Sequence, residues 1–370
     1  MQRPVLVTGA GGFIGGRIVE VLHLLPDREV RAGVRRWSSA ARIGRLPVEI
    51  VLCDVTDRDQ VFSAMEGVGA VIHCATGGRA AAVEGIRNVL DAAGELGVER
   101  VVYFSTIDVY GDAEGDVDET RPLVKLGRDY GDSKIESERL CLEYAGQGLP
   151  VTILRPSLVY GPFGKNFTIE IAERLAAGGG FPAPKDADGQ CNLVYVDDVV
   201  LASLLALQRE EAIGEAFNVN GAEILTWARY LEAFGAALGV TDTVSSGRWS
   251  TNLRSLAMTP VRNTAKWALR RFEAPIRGLY KRSGMIQRVM GGMESAIRQT
   301  PTRAEYRLLR RQASFPIDKA RRLLGYEPRF SLARGMVPTV AWLRHHGFLG
   351  PPEMADSGST GAEVTARASR

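Results

Sequence analysis

The chain has 370 residues, 45% hydrophobic and 24% charged, with a formal net charge of +3. That make-up excludes a disordered or fibrous chain and allows a sizeable core. No apolar run is long enough to span a bilayer, and the start runs straight into an apolar stretch, which predicts no secretory signal. Four scattered cysteines (Cys53, Cys74, Cys141, Cys191) form no CxxC pair, and four histidines fall in no ligand pattern. The expectation is no metal centre, and reduced thiols in a cytoplasmic protein.

The first 220 residues alternate short apolar runs with helical patterns. Strands are predicted at 4–8 (PVLVT), 29–34, 48–53, 69–74, 100–105, 151–155, 192–196 (NLVYV) and 216–220. Several are near-continuous Val, Ile and Leu runs, the mark of parallel strands covered on both faces. Between them, GFIGGRIVEVLHLL, AAAVEGIRNVLDAAGELG and GRDYGDSKIESERLCLEYA carry helical spacing. The alternation predicts an α/β fold, a Rossmann-like doubly wound parallel sheet with right-handed crossovers. After about residue 222 the texture changes. TWARYLEAFGAAL is a predicted helix with Thr226 as its N-cap, and PIDKARRLLGYEP and LARGMVPTVAWLRHHG are two closing helical pieces. The expected division is a mainly dinucleotide-binding domain at 1–165 and a mainly substrate-binding part at 166–350, interleaved with the sheet. The small polar tail, 351–370, is expected to be disordered.

The first strand runs into TGAGGFIGG, which places Gly9, Gly12 and Gly15 at a strand-to-helix junction. Side-chain-free turns let backbone N–H groups approach a pyrophosphate, and a helix N-terminus offers unpaired donors and the positive end of its dipole. An acid at the end of the second strand would favour NAD, and an arginine NADP. Val34 stands at the acid's position and Arg35 and Arg36 follow, so NADP(H) is the expected cofactor, with NAD(H) as the alternative. Further on, Tyr130 and Lys134 are four residues apart on one helical face. Ser105 and Thr106 lie at the carboxyl end of a central strand, where open α/β sheets place their ligand crevice.

In combination, these motifs resemble the extended short-chain dehydrogenase/reductase family of the epimerase/dehydratase type. The resemblance rests on TGxxGxxG, CDVTD at 53–57, HCA at 73–75, STxxVYG at 105–111, YxxxK, RPxxVYGP at 155–162 and VYVDDVV at 194–200. It returns at 316–336. The resemblance implies Tyr130 as general acid/base and Lys134 as the group that binds the nicotinamide ribose and lowers the pKa of Tyr130. It implies that Thr106 hydrogen-bonds the reacting oxygen. Gly9, Gly12 and Gly15 would cradle the pyrophosphate with Phe13 and Ile14 beside them. Asp54 and Val55 would contact the adenine, Ala75 the cofactor ribose, and the backbone after Pro156 the nicotinamide. Two departures bear on the reaction. Ile107 stands where the family's sugar dehydratases carry an acid, so 4,6-dehydration is not expected, while Asp108 is placed to touch substrate. No arginine precedes VYVDD, where Cys191 and Asn192 stand, which weakens a nucleotide-sugar assignment; Asn166 is a candidate pocket residue.

Residues 248–311 have no place in that pattern. They hold 15 Lys and Arg against three Asp and Glu, a net +12, so the remainder carries −9. Apolar residues such as Ile286, Val289, Met290 and Met293 recur at helical spacing with Arg288 and Arg298 interspersed. Such a basic helical insertion suits a pocket lid, a peripheral contact with an anionic membrane surface, or a contact in a homodimer. Nucleic acid is not expected. Two function classes follow: an enzyme acting on an alcohol or ketone, a sugar or lipid-linked compound among them, by reduction or by epimerisation with retained NAD; and a non-catalytic NADPH-binding sensor or scaffold. The intact Thr106, Tyr130 and Lys134 favour the enzyme.

Overall fold

The computed structural model describes residues 3–26, 28–176, 188–239 and 303–349. The expectations for the amphipathic stretch 248–302 and for the tail 351–370 lie outside the described residues.

Seven strands form the central sheet: β1 (Val5–Thr8), β2 (Val30–Val34), β3 (Glu49–Leu52), β4 (Ala70–His73), β5 (Arg100–Phe104), β6 (Val151–Pro156) and β7 (Ala216–Val219). Their order is β7-β6-β5-β4-β1-β2-β3, all parallel. The chain winds outward from β1 through β2 to β3, then crosses to β4 on the other side of β1. The order therefore reverses between β1 and β4, and ligands of such sheets bind at the carboxyl ends beside that point. Register keeps those ends level: Thr8 pairs with His73, and His73 with Tyr103.

Among the described residues there are ten α-helices: α1 (Phe13–His23), α2 (Arg58–Met65), α3 (Arg79–Glu95), α4 (Asp129–Gly146), α5 (Glu170–Ala176), α6 (Val196–Gln208), α7 (Trp227–Leu238), α8 (Arg303–Arg310), α9 (Asp318–Leu324) and α10 (Leu332–His345). Ile18 and Leu22 of α1, Val199 of α6 and Leu324 of α9 are buried on one face of the sheet. Met65 of α2, Ile86 and Leu90 of α3 and Leu140 of α4 are buried on the other. Burial on both faces is why the strands are apolar almost without interruption. At Thr226 the expected cap is present, its hydroxyl accepting from the Arg229 amide at 3.2 Å.

Residues 193–195 form a strand as expected, but outside the central sheet. They pair in parallel with residues 158–160. Pro156, which has no N–H of its own, closes β6; after Ser157, whose amide still donates to the Val219 carbonyl at 3.0 Å, the chain starts a second, two-stranded sheet. That sheet sits with α5, α7, α8 and α10 around a separate aromatic cluster that includes Tyr160, Tyr195, Trp227 and Tyr230. Residues 303–311, which the charge count assigns to the basic insertion, belong to this packed part. Leu309 is 4% exposed, and its carbonyl accepts from the Gly189 amide.

Candidate active site

At the carboxyl end of β1, Gly9 has φ +67°, and a Cβ there would come within 2.8 Å of the Ala75 backbone. A Cβ on Gly15 would meet the Gly9 carbonyl oxygen at 2.5 Å. Gly9 therefore fulfils the turn, and Gly15 lets α1 seat against it. Gly12 caps α1 without a side chain, and the first turn carries no acid. The N–H groups of this turn have no partners within the helix, so donors and dipole face the crevice. Together the turn, the close packing and the free donors fit a dinucleotide pyrophosphate. Around the loop, the structure brings the expected cofactor residues to one edge of the sheet. Phe13 and Ile14 open α1, and Arg35 is exposed just after β2. Asp54 accepts from the Thr56 amide at 3.1 Å, Val55 is buried, and Ala75 faces Gly9. Pro156 is buried at the end of β6.

Tyr130, Thr106 and Asp108 meet at the carboxyl end of β5. The Asp108 amide donates to the Thr106 hydroxyl at 3.3 Å, which starts a single 3-10 turn over Ile107–Tyr110. Gly131 lets the start of α4 close on that turn, since a Cβ there would lie 3.3 Å from the Asp108 carbonyl oxygen. Tyr130 is thereby brought in at 47% exposure. Crowding by the cleft walls, then the Asp108 carboxylate, raises its pKa, while the nearby Thr106 hydroxyl opposes the rise. Asp108 itself keeps contact with solvent, yet the walls desolvate its carboxyl and raise its pKa above the usual value. The charges of Arg311 and Arg128 pull the other way.

Lys134 lies one helical turn after Tyr130. It is 3% exposed, and its ammonium donates to the Phe104 carbonyl at 2.6 Å. Burial lowers its pKa to about 8. The groups that shift Tyr130 are the cleft walls, Asp108 and Thr106, not Lys134, and the direction is upward. The Lys134 ammonium is directed at this β5 carbonyl. Its charge also acts on His73, whose pKa falls to about 3, chiefly through burial. That imidazole is neutral, its Nδ1 2.9 Å from the Thr8 hydroxyl.

The sequence reading missed what holds α4 in place. Glu138 and Arg155 are 0% and 5% exposed in their side chains and are joined by three hydrogen bonds of 2.6, 3.0 and 3.2 Å. Arg155 also donates to the Tyr110 hydroxyl at 2.8 Å, which in turn donates to Asn218 at 2.8 Å. The available signal was spacing: Glu138 follows Lys134 by one further helical turn, on the same face of α4. Similarly, the paired acids of VYVDDVV are joints. Asp197 holds Arg17 of α1 at 2.6 and 2.9 Å, and Asp198 accepts the amides of Arg329 and Phe330 at 2.7 and 3.1 Å. Asn166 is exposed on a turn at 165–169. Asn192 is tied down, donating to the Ala313 carbonyl at 2.7 Å.

A parallel sheet in this order, with a glycine cradle at its reversal and a tyrosine above its fifth strand, defines a Rossmann-type dinucleotide-binding protein. The chain belongs to the NAD dependent epimerase/dehydratase family, whose model matches residues 5–220; its members are extended short-chain dehydrogenases/reductases. It is 33% identical over 247 residues to sterol demethylase protein B of Methylococcus capsulatus, spanning 61% of this chain and 74% of that protein. It is 26% identical to isoform 1 of the 3beta-hydroxysteroid-dehydrogenase/decarboxylase of Arabidopsis thaliana, spanning 93% of this chain and 80% of that one. Among solved structures, UDP-glucuronic acid 4-epimerase from Bacillus cereus, in complex with UDP-glucuronic acid and NAD, matches with a TM-score of 0.68 at 18% identity, covering 93% of this chain and 99% of that one. At that identity the match speaks for the fold. No helix among the described residues is long and apolar enough to cross a membrane.

Proposed function

We propose that the chain is an NAD(P)-dependent oxidoreductase acting at a secondary alcohol or ketone carbon, with Tyr130 as the general acid/base. The observation that carries this reading is the convergence of the Tyr130 and Thr106 side chains in an open cleft at the carboxyl end of β5. A nicotinamide held along that edge supplies or accepts the hydride. Tyr130 gives its phenolic proton to the carbonyl oxygen in reduction and takes one back in oxidation. Thr106 is placed to orient that oxygen. Asp108, which already acts on Tyr130, lies within reach of the substrate. The buried Lys134 ammonium is held at Phe104 beside β4 and β5, where a cofactor ribose would meet it.

The absence of an acid at Val34 and the exposure of Arg35 and Arg36 favour NADP(H) over NAD(H). The sterol-directed names of the relatives support an apolar alcohol as substrate. A nucleotide-sugar epimerase is the second reading, since the family whose model matches includes epimerases. Ile107 still speaks against 4,6-dehydration, since it cannot move a proton. A cytoplasmic location, a homodimer, and a membrane-surface contact through the basic 248–311 stretch belong to the same proposal. Sedimentation with anionic vesicles tests the membrane contact.

The test is Tyr130→Phe. Turnover should fall by roughly two to four powers of ten while cofactor affinity is kept. Unchanged turnover would remove Tyr130 as the proton donor. Loss of a tightly retained dinucleotide only on denaturation would favour the epimerase. A non-catalytic sensor would show cofactor binding and no turnover with any alcohol or ketone.

A further inference from the structure

Among the described residues, Phe163 is the one non-glycine residue with a positive φ, at +69°. Backbone of that kind is unfavourable for a bulky side chain and persists only where neighbours hold it. Here they do. The Phe163 ring centroid lies 4.7 Å from that of Trp342 in α10 and 5.9 Å from that of His346 at its end. The Arg42 guanidinium lies over the same ring, 3.8 Å from its centroid. Arg42 belongs to the segment between β2 and β3, so the stack joins the C-terminal helix to the dinucleotide-binding part.

The edges of that guanidinium are in use as well. Nε and Nη2 each donate to the Glu20 carboxylate of α1 at 2.9 Å. Nη1 donates to the Phe13 carbonyl at 3.1 Å, with the Gly12 carbonyl 3.5 Å away. Gly16 leaves room for this approach, since a Cβ there would lie 3.0 Å from Nη1. Arg42 therefore sits on the carbonyl side of the first turn of α1. The Phe13 carbonyl shares a peptide unit with the Ile14 N–H, and the Gly12 carbonyl with the Phe13 N–H. Those donors have no partner within the helix. A cation at the carbonyl end fixes such a unit and strengthens its N–H as a donor. Gly164 closes on the same turn, because a Cβ there would come within 3.1 Å of the Phe13 ring.

We propose that Arg42 is a positioning residue for the cofactor pyrophosphate and that Phe163 keeps it in place, so that the grip of the glycine loop depends on a stack anchored in α10. This rests on dinucleotide binding at the glycine loop, and neither on Tyr130 nor on the choice between NADP(H) and NAD(H).

The test is a fluorescence titration of the full chain with NADPH and, separately, with NADH, since the pyrophosphate is common to both. Phe163→Leu keeps an apolar side chain and removes the ring. It should weaken both cofactors by the same factor, roughly three- to tenfold. Phe163→Tyr keeps the ring face and should bind both as the wild type does. Arg42→Gln should weaken both roughly tenfold or more. In the double variant, Phe163→Leu should add little to the loss from Arg42→Gln, because it acts through that residue. Wild-type affinity in Phe163→Leu, an equal loss in Phe163→Tyr, or fully additive losses in the double variant would overturn the coupling. So would a loss confined to NADPH, which would put Arg42 at the 2′-phosphate instead of behind the pyrophosphate. If Arg42→Gln does not fold, the two Phe163 variants decide. A wild type that binds neither cofactor would sink dinucleotide binding itself, a result distinct from bound cofactor with unchanged affinity in the variants.

Discussion

In the proposed reading, Arg35 and Tyr130 would carry the two choices left to single residues: which cofactor binds and where the proton goes. A 2′-phosphate beside an exposed arginine gains a charge-assisted pair that a ribose hydroxyl does not. Arg35→Ala is therefore expected to weaken NADPH binding roughly tenfold and NADH binding little. Fluorescence titration of both cofactors checks it, and equal losses for the two would refute the specificity assignment. The glycines, Thr106, Tyr130 and Lys134 were legible as a set because each is a residue type that the chemistry demands at its spacing. The setting of the Tyr130 hydroxyl was not legible. It depends on the walls around the hydroxyl and on where the Lys134 ammonium points, and spacing along one helix fixes neither. Arg311 was hidden for a related reason. In the sequence it is one of 15 basic residues in a run, and only packing beside Asp108 sets it apart.

Among the elements, α4 bears most of the site, and its position is set by a buried ion pair to β6. Arg155→Met would leave the Glu138 carboxylate fully buried without its partner. Such a break costs about 3–5 kcal/mol. The double variant Arg155→Met with Glu138→Leu should recover much of that loss, because it removes both charges. Urea denaturation of the three variants measures this. If Arg155→Met costs no more than a surface substitution, the pair does not anchor the helix. In a folded single variant, kcat should fall with cofactor affinity largely kept, since Tyr130 and Thr106 would lose register while the glycine loop would not. Strands and helices were readable from periodicity. The pairing partner of 193–195 was not, because after β6 the chain starts a second sheet that local pattern cannot assign.

For the whole molecule, the pH dependence of stability follows from groups buried out of their ordinary charge state. His73 has a folded pKa of about 3 against the ordinary 6.5. As pH falls through 6.5 the unfolded chain takes up this proton, while the folded chain refuses it until about 3. Stability contributed by the neutral imidazole is therefore complete above 6.5 and is lost on acidification across that window, by roughly 1.4 kcal/mol per pH unit at most. His73→Asn should flatten the acid limb of stability against pH by about one proton. Parallel curves for variant and wild type, in urea titrations from neutral to mildly acid pH, would count against it. Lys134 shifts in the same direction at the alkaline end. Its folded pKa of about 8 lies below the ordinary 10.5, so its contribution grows as pH rises through that interval.

Alone, the sequence determined the α/β class, the order of strands and helices, the phosphate loop and the candidate proton donor. These are local properties: hydrophobic period, conformational freedom at glycine, and residue chemistry at short spacing. Tertiary structure decided the rest. It directed Lys134 at a carbonyl, paired Glu138 with Arg155, turned Asp197 and Asp198 into joints, and brought Arg311 across the chain to the edge of the Tyr130 cleft. Each of those outcomes depends on desolvation and on neighbours far away in sequence, quantities that exist only once the chain has packed.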